Sequence, residues 1–306
     1  MNDDLNIDIL AVINRLETIN DYIRWGASLF NREKLYFGHG TNNAIDEAAY
    51  LVLFTLNLPN NTNSVYFSAK LLEEEKRAVI EIILERAYKK VPAAYLTHES
   101  WFAGLPFYVD ERVLVPRSPI AELINQQFSP WVDTEEVHQI LDLCTGSGCI
   151  AIACAYAFPY VEVDAADISA DALEVTKTNI EKHKIQDYVQ AIESDLFSNL
   201  ADKSYDIIVS NPPYVDKMDM DALPTEFMAE PELGLAAGDN GLDLVIPMLE
   251  QAKYHLNDNG ILIVEVGNSD AALQEHYPEV PFYWLEFENG GHGVFLLTKE
   301  QLEAHF

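Results

Sequence analysis

The chain has 306 residues, of which 49% are hydrophobic and 11% aromatic, and its 50 acidic and 19 basic side chains leave a net charge of −31. That length suits about two domains of roughly 150 residues, and that apolar fraction can fill a core, which excludes disorder throughout. The charge argues against a protein that grips nucleic acid through its phosphates, and it is uneven: 37 acidic residues face nine basic ones after position 96.

The opening MNDDLNIDIL lacks the basic and apolar regions of a secretory signal. No run of about 18 apolar residues suits a membrane span; the longest, at 48–58, is broken by Thr55 and Asn57. Cys144, Cys149 and Cys154 are odd in number and spaced too widely for zinc pairs, so they read as small buried hydrophobes and no metal site is expected. A reduced, cytoplasmic protein without a membrane partner is the expectation.

Residues 1–96 read as helical. Leu5, Ile9, Ile13, Leu16, Ile19 and Ile23 recur at three- and four-residue spacing, one apolar stripe. A second helix is expected over 46–56, entered through the turn-rich Gly38–Asn43 stretch, and a third from Ser68 to Lys90, with Glu73–Glu75 in its first turn, where the helix dipole favours acid. Residues 97–116 form a separate linker in which 101–109 and 112–115 flank an Asp-Glu turn, as in a β-hairpin. The third segment, 117–306, opens with a helix over 118–128 and then alternates. Strands are legible at 137–143, 161–166, 189–192, 206–210 and 261–266, with helices at 149–157, 170–183 and 242–256. Such alternation predicts an α/β protein with a parallel sheet covered on both faces. The closing pattern of 281–288, Asn-Gly-Gly-His-Gly and 294–298 predicts a hairpin, so the last strand should run antiparallel.

Two motifs carry chemistry. The first, Asp142-Leu-Cys-Thr-Gly-Ser-Gly148, follows an apolar strand and opens a helix; Gly146 and Gly148 permit a tight turn and close approach of a ligand to the backbone. Asp167 stands 21 residues beyond Gly146 at the end of the next strand, where an acid meets a ribose in nucleotide-binding α/β folds. Asp142 would repel a pyrophosphate but suits a ligand with a cationic amino-acid end, which points to S-adenosyl-L-methionine. The second motif, Asp206-Ile-Ile-Val-Ser-Asn-Pro-Pro-Tyr214, is a strand ending in Asn-Pro-Pro-Tyr at the carboxyl edge where open α/β sheets bind ligands. Its prolines fix the backbone so that the Asn211 side-chain oxygen and the Pro212 carbonyl converge on a planar –NH2 group, either an amide or an exocyclic amine. Tyr214 offers a face for stacking.

The sequence resembles S-adenosylmethionine-dependent methyltransferases and, among them, the protein-(glutamine-N5) methyltransferase family over nearly its full length. The stretches that carry the resemblance are Phe107-Tyr-Val-Asp-Glu-Arg-Val-Leu-Val-Pro-Arg117, 142–148, Asp167-Ile-Ser, Ser194-Asp-Leu-Phe197, 211–214 and Glu230-Pro-Glu. Phe37-Gly-His-Gly-Thr-Asn-Asn43 with Asp46-Glu47, Pro116-Arg-Ser-Pro-Ile-Ala-Glu122 and Phe287-Glu-Asn-Gly-Gly-His-Gly293 look like the branch acting on large-subunit ribosomal protein L3. The branch acting on peptide chain release factors usually has Pro-Arg-Pro followed by Thr-Glu, absent here. Cys144 departs from the broader pattern, which often has glycine there.

The resemblance implies a Rossmann-like class I methyltransferase domain, with a seven-stranded and mostly parallel sheet, behind a smaller helical domain that recognises substrate. It implies methyl transfer from S-adenosyl-L-methionine to a glutamine side-chain nitrogen, giving S-adenosyl-L-homocysteine. Asn211, Pro212 and Tyr214 are then the catalytic candidates. Asp142, Cys144, Thr145, Gly146, Gly148, Asp167, Ile168, Asp195, Leu196 and Asn211 are the cofactor candidates. Substrate would meet Phe107, Arg117 and residues 211–214, and Arg117 and Glu122 would either position it or lock the hairpin. Release factors are the nearest alternative substrate. A DNA adenine N6-methyltransferase could use the same Asn-Pro-Pro-Tyr but needs base flipping and a basic cleft, so no DNA partner is expected. Six acids between Val215 and Glu232 face one base, Lys217, a stretch that would steer a basic ribosomal protein.

Overall fold

The computed structural model describes residues 9–306 and divides into two compact units. One comprises the chain up to His98 together with Pro224–Ala229; the other comprises Glu99–Leu223 and Glu230–Phe306.

The first unit is helical: α1 (Ile9–Arg15), α2 (Ile19–Arg32), α3 (Ala44–Thr55), α4 (Glu73–Leu84) and α5 (Ala93–Thr97). The expected single apolar stripe is in fact two helices, because Thr18 caps the second: its hydroxyl accepts from Asp21 N, and the Asp21 carboxylate accepts from Thr18 N in return. Leu5 lies outside the described residues. Helix α3 starts on the Asn43 side chain, which accepts from Ile45 N and Asp46 N. The third helix begins later than expected. Ser64–Ser68 is a 3-10 turn, and α4 starts at Glu73, with Glu75 reaching back to the Leu72 N–H. Leu84 then passes into a π turn, Glu85–Lys89, that ends on Lys90 in the left-handed conformation. Tyr22, Phe30, Leu51, Ile80 and Ile83 fill the core of this unit.

The second unit opens with a hairpin, β1 (Ser100–Phe102) and β2 (Leu105–Phe107). It turns at Ala103 and Gly104, both at positive φ (49° and 78°), rather than at Asp110-Glu111. Two central residues at positive φ match the twist of the paired strands; alanine in the first position hid that turn in the sequence. Asp110 instead anchors the loop that follows: it accepts from the Arg112 backbone and guanidinium and from the Tyr108 hydroxyl, and Arg112 holds its carboxyl down at about 2.

The main sheet contains β3 (Gln139–Leu143), β4 (Glu162–Asp167), β5 (Val189–Glu193), β6 (Tyr205–Ser210), β7 (Leu256–Glu265), β8 (Tyr283–Trp284) and β9 (Val294–Thr298). Its order is β5-β4-β3-β6-β7-β9-β8. The first five strands run parallel and β9 runs antiparallel to both its neighbours. Helices α6 (Ile120–Asn125), α7 (Cys149–Ala157), α8 (Ala170–His183), α9 (Lys217–Ala222), α10 (Val245–Ala252), α11 (Asp270–His276) and α12 (Lys299–His305) connect or flank the strands. Two apolar clusters sandwich the sheet, one including Ile140, Val163 and Ile207, the other Leu141, Ile208 and Leu262. Adjacent residues of one strand thus face opposite cores, which is why these strands read as continuous apolar runs. Strand order reverses between β3 and β6, and open α/β sheets bind ligands at the carboxyl ends of such a crossing. No helix among the described residues is long and apolar enough to cross a membrane.

Replacing Thr18 with alanine removes the cap of α2 and should lower stability by about 1 kcal/mol in a urea titration; an unchanged midpoint would show that the cap does not hold this helix.

Candidate active site

Register brings the site together. Ser210 of β6 pairs with Leu143 of β3 on one side and with Val264 of β7 on the other. The next residues along the three strands, Cys144 and Asn211 just past their strand ends and Glu265 at the last position of β7, therefore lie side by side. A cavity of about 170 Å³ lies there, walled by Cys144, Gly146, Asp167, Ile168, Asn211 and Pro213 among others.

The glycine loop is held from below. Asp142 is fully buried and does not reach the cavity wall. Its Oδ2 accepts from Thr145 Oγ1 (2.5 Å) and from Ala151 N (3.0 Å) at the start of α7, while its Oδ1 has no partner among the described residues. Burial lifts this carboxyl to about 7, against the pull of those two donors. Thr145 likewise lies behind the loop, its N–H bonded to Ala166 O. Asp167 fastens the loop to β4: Oδ2 accepts from Gly146 N (2.8 Å) and Oδ1 from Ser169 N (2.9 Å), and burial raises its pKa. Gly148, at φ 79°, lies so close to Thr176 that a methyl group there would meet its Cγ2 at 2.9 Å, whereas the space above Gly146 is open. Cys144 adopts φ 63°, a left-handed conformation, which is the backbone freedom that the glycine expected there would supply at no steric cost. Burial and the nearby Asp167 push its thiol upward, so it stays protonated.

Ile168 is half exposed in the cavity wall, with Asp195 and Leu196 beside it. The Ser194 hydroxyl donates to Leu196 O, holding that turn.

The Asn-Pro-Pro-Tyr segment is braced from several directions. Ser210 Oγ donates to Leu143 O (2.5 Å) just before it. Tyr214 OH donates to Glu265 Oε1 (3.0 Å), and Ser118 Oγ donates to Glu265 Oε2 (2.5 Å). The Tyr214 carbonyl accepts from Ser269 Oγ (2.9 Å), and the Tyr214 ring packs against Gly267 so closely that a methyl group on that residue would collide with it. Burial and Glu265 push the tyrosine hydroxyl upward, and burial lifts Glu265 as well, so the phenol remains a donor. Asn211 lines the cavity, and its Oδ1 is buried without a hydrogen-bond partner among the described residues. Pro212 is buried beneath it.

Several expected residues sit elsewhere. Phe107 is completely buried in the sheet's core beside His183, away from the cavity wall. Arg117 makes a two-pronged pair with the buried Glu230 (2.6 and 2.9 Å), which also accepts from Val115 N, so it clamps a loop. Glu122 accepts from the N–H groups of Glu288 and Asn289 and from the Asn289 amide, closing the last hairpin. Glu265 and Ser118 carried no signal in the sequence: an acid ending an apolar strand and a serine before a proline only gain meaning once Tyr214 lies above them. Arg112, Leu114 and Leu233 also join the cavity wall. Of the six acids expected to steer substrate, Glu226 and Glu230 are buried in ion pairs, and Asp216 caps α9.

A parallel sheet with an antiparallel β9, a glycine loop after β3, an acid ending β4 and Asn-Pro-Pro-Tyr after β6 together define a class I methyltransferase domain. Residues 126–238 match the model of the methyltransferase small domain family. The chain is 50% identical over 292 residues to the ribosomal protein uL3 glutamine methyltransferase of Francisella tularensis, covering 95% of this chain and 93% of that one. It is 51% identical over 288 residues to the enzyme of the same name from Neisseria gonorrhoeae, covering 94% and 96%. The chain belongs to the ribosomal protein uL3 glutamine methyltransferase family. Among solved structures, a methyltransferase from Pyrococcus furiosus aligns with a TM-score of 0.46 and 16% identity, covering 74% of this chain and 98% of that one.

Two measurements probe this site. The folded pKa of Asp142 lies above the unfolded value of 3.8, so the folded state holds a proton that the unfolded state releases, and this group's contribution to stability falls as pH rises from about 4 to about 7. Asp142→Asn should therefore gain stability relative to the parent across that window in pH-dependent melts, and a constant difference would refute a buried, neutral-leaning carboxyl. Glu265→Gln keeps the shape but costs one charge-assisted bond, about 1.5 kcal/mol; turnover should drop roughly tenfold with binding of S-adenosyl-L-homocysteine unchanged, and equal losses in both would mean that Glu265 supports the whole cavity.

Proposed function

We propose that this methyltransferase moves the methyl group of S-adenosyl-L-methionine to the N5 side-chain nitrogen of a glutamine in ribosomal protein uL3, leaving S-adenosyl-L-homocysteine. One observation carries the reading: Asn211 Oδ1 is a buried acceptor with no partner among the described residues, in the wall of the cavity at the carboxyl ends of the strands. A buried acceptor left unmade costs about 1–3 kcal/mol. A primary amide –NH2 supplies the missing donor. Relatives at 50% and 51% identity over nearly the whole chain carry the name of that activity.

The cavity suits the cofactor in the chemistry of its walls. Asp167 and Asp195 offer acceptors to ribose hydroxyls and an adenine amine, Ile168, Leu196 and Pro213 offer apolar surface to a purine ring, and Gly146 leaves its backbone open to close approach. Asp142 contributes from behind the loop, where its unpartnered oxygen favours a cationic ligand in front. Cys144 joins the cavity wall, while Thr145 and Gly148 shape the loop from behind. When bound, the cofactor supplies a methyl group on a positively charged sulfur, already activated for transfer.

The residues of this chain do the rest by position. The amide nitrogen is a poor nucleophile because its lone pair is delocalised. Asn211 Oδ1 and the Pro212 carbonyl accept its two N–H groups and turn the lone pair toward the methyl, and holding reactants in that geometry is worth up to roughly 7–11 kcal/mol. The same two oxygens stabilise the positive charge that develops on nitrogen. The charge that these oxygens stabilise would make the nitrogen strongly acidic, so it would lose its proton to solvent and no dedicated base is needed. Tyr214, fixed by Glu265, walls the amide from one side. The helical unit is proposed to receive the basic ribosomal protein, and a substrate made in the cytoplasm supports a cytoplasmic enzyme.

Incubating the purified protein with uL3 and methyl-labelled S-adenosyl-L-methionine should label one glutamine, with duplex DNA and release factor as controls; label on either control alone refutes the substrate. Asn211→Ala should leave cofactor affinity nearly intact while turnover falls on the order of 10²-fold. Asp167→Ala should weaken cofactor binding first, seen by calorimetry with S-adenosyl-L-homocysteine. The opposite pattern in the two variants would exchange their roles.

A further inference from the structure

The stretch Phe37-Gly-His-Gly-Thr-Asn-Asn43 with Asp46-Glu47, which marks the ribosomal-protein branch in the sequence, is not used by the cavity. The structure gives it another occupant. Within the helical unit, Arg86 is 1% exposed; its Nε donates to Glu47 Oε1 (2.6 Å), its Nη2 donates to Tyr36 O (2.9 Å), and Nη1 lies 3.6 Å from Glu226 Oε1. Glu226, also 1% exposed, accepts from Tyr36 N (2.9 Å). Thr41 Oγ1 donates to the second oxygen of Glu47 (2.7 Å). The next residue, Phe227, packs its ring 4.6 Å from that of the buried His39 and 5.5 Å from that of Tyr36.

Glu226 and Phe227 belong to Pro224–Ala229, the segment that the chain lends to the helical unit between two stretches of the methyltransferase unit. The loop containing it starts directly after Tyr214. Its neck is closed by Val215 N to Leu235 O (2.9 Å) and Ala237 N to Val215 O (3.0 Å). Immediately after the lent segment, Glu230 is clamped by Arg117, and Pro231, Leu233 and Gly234 enter the cavity wall. One loop thus leaves the target motif, is fastened in the helical unit, and returns as cavity wall.

We propose that residues 36–47 and Arg86 form a socket for Glu226 and Phe227, and that the filled socket positions the loop after Asn-Pro-Pro-Tyr for methyl transfer. Arg86, Glu226 and Phe227 are positioning residues: they touch neither cofactor nor substrate amide, and their effect passes along the loop to the neck at Val215, one residue from Tyr214. The kinetic half of this proposal rests on the glutamine-transfer reading above; the structural half does not.

The test uses the full chain and two independent ways of emptying the socket. Glu226→Gln removes the charge that Arg86 faces while leaving Arg86 its pair with Glu47; Phe227→Leu keeps every charge and loosens only the ring contacts. Arg86 itself is avoided, because its loss strands two buried carboxylates. In both variants, the Val215 and Ala237 amides should exchange with deuterium roughly tenfold faster, since local opening sets those rates. With uL3 and S-adenosyl-L-methionine saturating, kcat should fall roughly tenfold while affinity for S-adenosyl-L-homocysteine changes less than about threefold, as displacement of a positioned group predicts. A merely structural socket would speed exchange only in the helices and leave kcat alone, and that result overturns the proposal. If Glu226→Gln unfolds the helices, Phe227→Leu decides by the same two readouts. If the parent protein methylates no glutamine at all, the functional reading falls, while exchange at Val215 and Ala237 still decides whether the socket holds the loop.

Discussion

Parallel pairing of β3, β6 and β7 is the constraint from which the site follows. Because Leu143, Ser210 and Val264 lie level across the three strands, the first residue beyond each is delivered to one place: a left-handed Cys144 that opens the glycine loop, an asparagine with an unanswered oxygen, and a carboxylate that holds the tyrosine. A one-residue slip of any strand would reverse its faces, burying polar groups in one of the two cores that sandwich the sheet. Burial of the sheet on both sides therefore guards the alignment of the chemistry at its end. The core and the site are specified by the same pairing.

Much of this was legible in the sequence, and the legible part has a common physical cause. Parallel strands buried on two faces read as unbroken β-branched runs, and α7 and α8 span 149–157 and 170–183 as the pattern predicts. The glycine loop and Asn-Pro-Pro-Tyr stood out because unusual backbone conformations demand particular residues. What escaped was relational. Glu265 is an ordinary acid until Ser118 and Tyr214 converge on it from 147 and 51 residues away. Asp142 stands out in the motif as a ligand group, and what the spacing could not show is that its Oδ2 also joins the loop to the first turn of α7. Arg117 and Glu122 left a substrate role and a structural role equally open, and each proved to close a loop. The hairpin turn was misplaced because Asp-Glu advertises a turn and Ala-Gly does not. An element boundary fixed by a cap, such as Thr18, is likewise invisible to hydrophobic spacing, which runs on through it.

The acidic character of the chain also changes meaning in the structure. Glu47, Glu226 and Glu230 are almost wholly enclosed, each against an arginine, so they count toward architecture and not toward the field felt by a partner. Around 4 Å, charges taken out of water interact far more strongly than exposed ones, and a buried ion pair broken on one side is costly. With only nine basic residues after position 96, Arg117 is committed to joining two distant pieces of chain and Arg112 to bracing its own loop at Asp110.

The route of the chain through its two units has an evolutionary consequence. Because Pro224–Ala229 belongs with the helices although more than a hundred residues of methyltransferase sequence precede it, the helical unit is not an N-terminal module that a single recombination could exchange. A graft of residues up to His98 alone would carry Arg86 and residues 36–47 without the distant segment that holds Glu226 and Phe227. Only a double crossover, carrying the helices and the distant segment together, would preserve the fit. The helical unit is thereby tied to two separate stretches of gene, which must change in step.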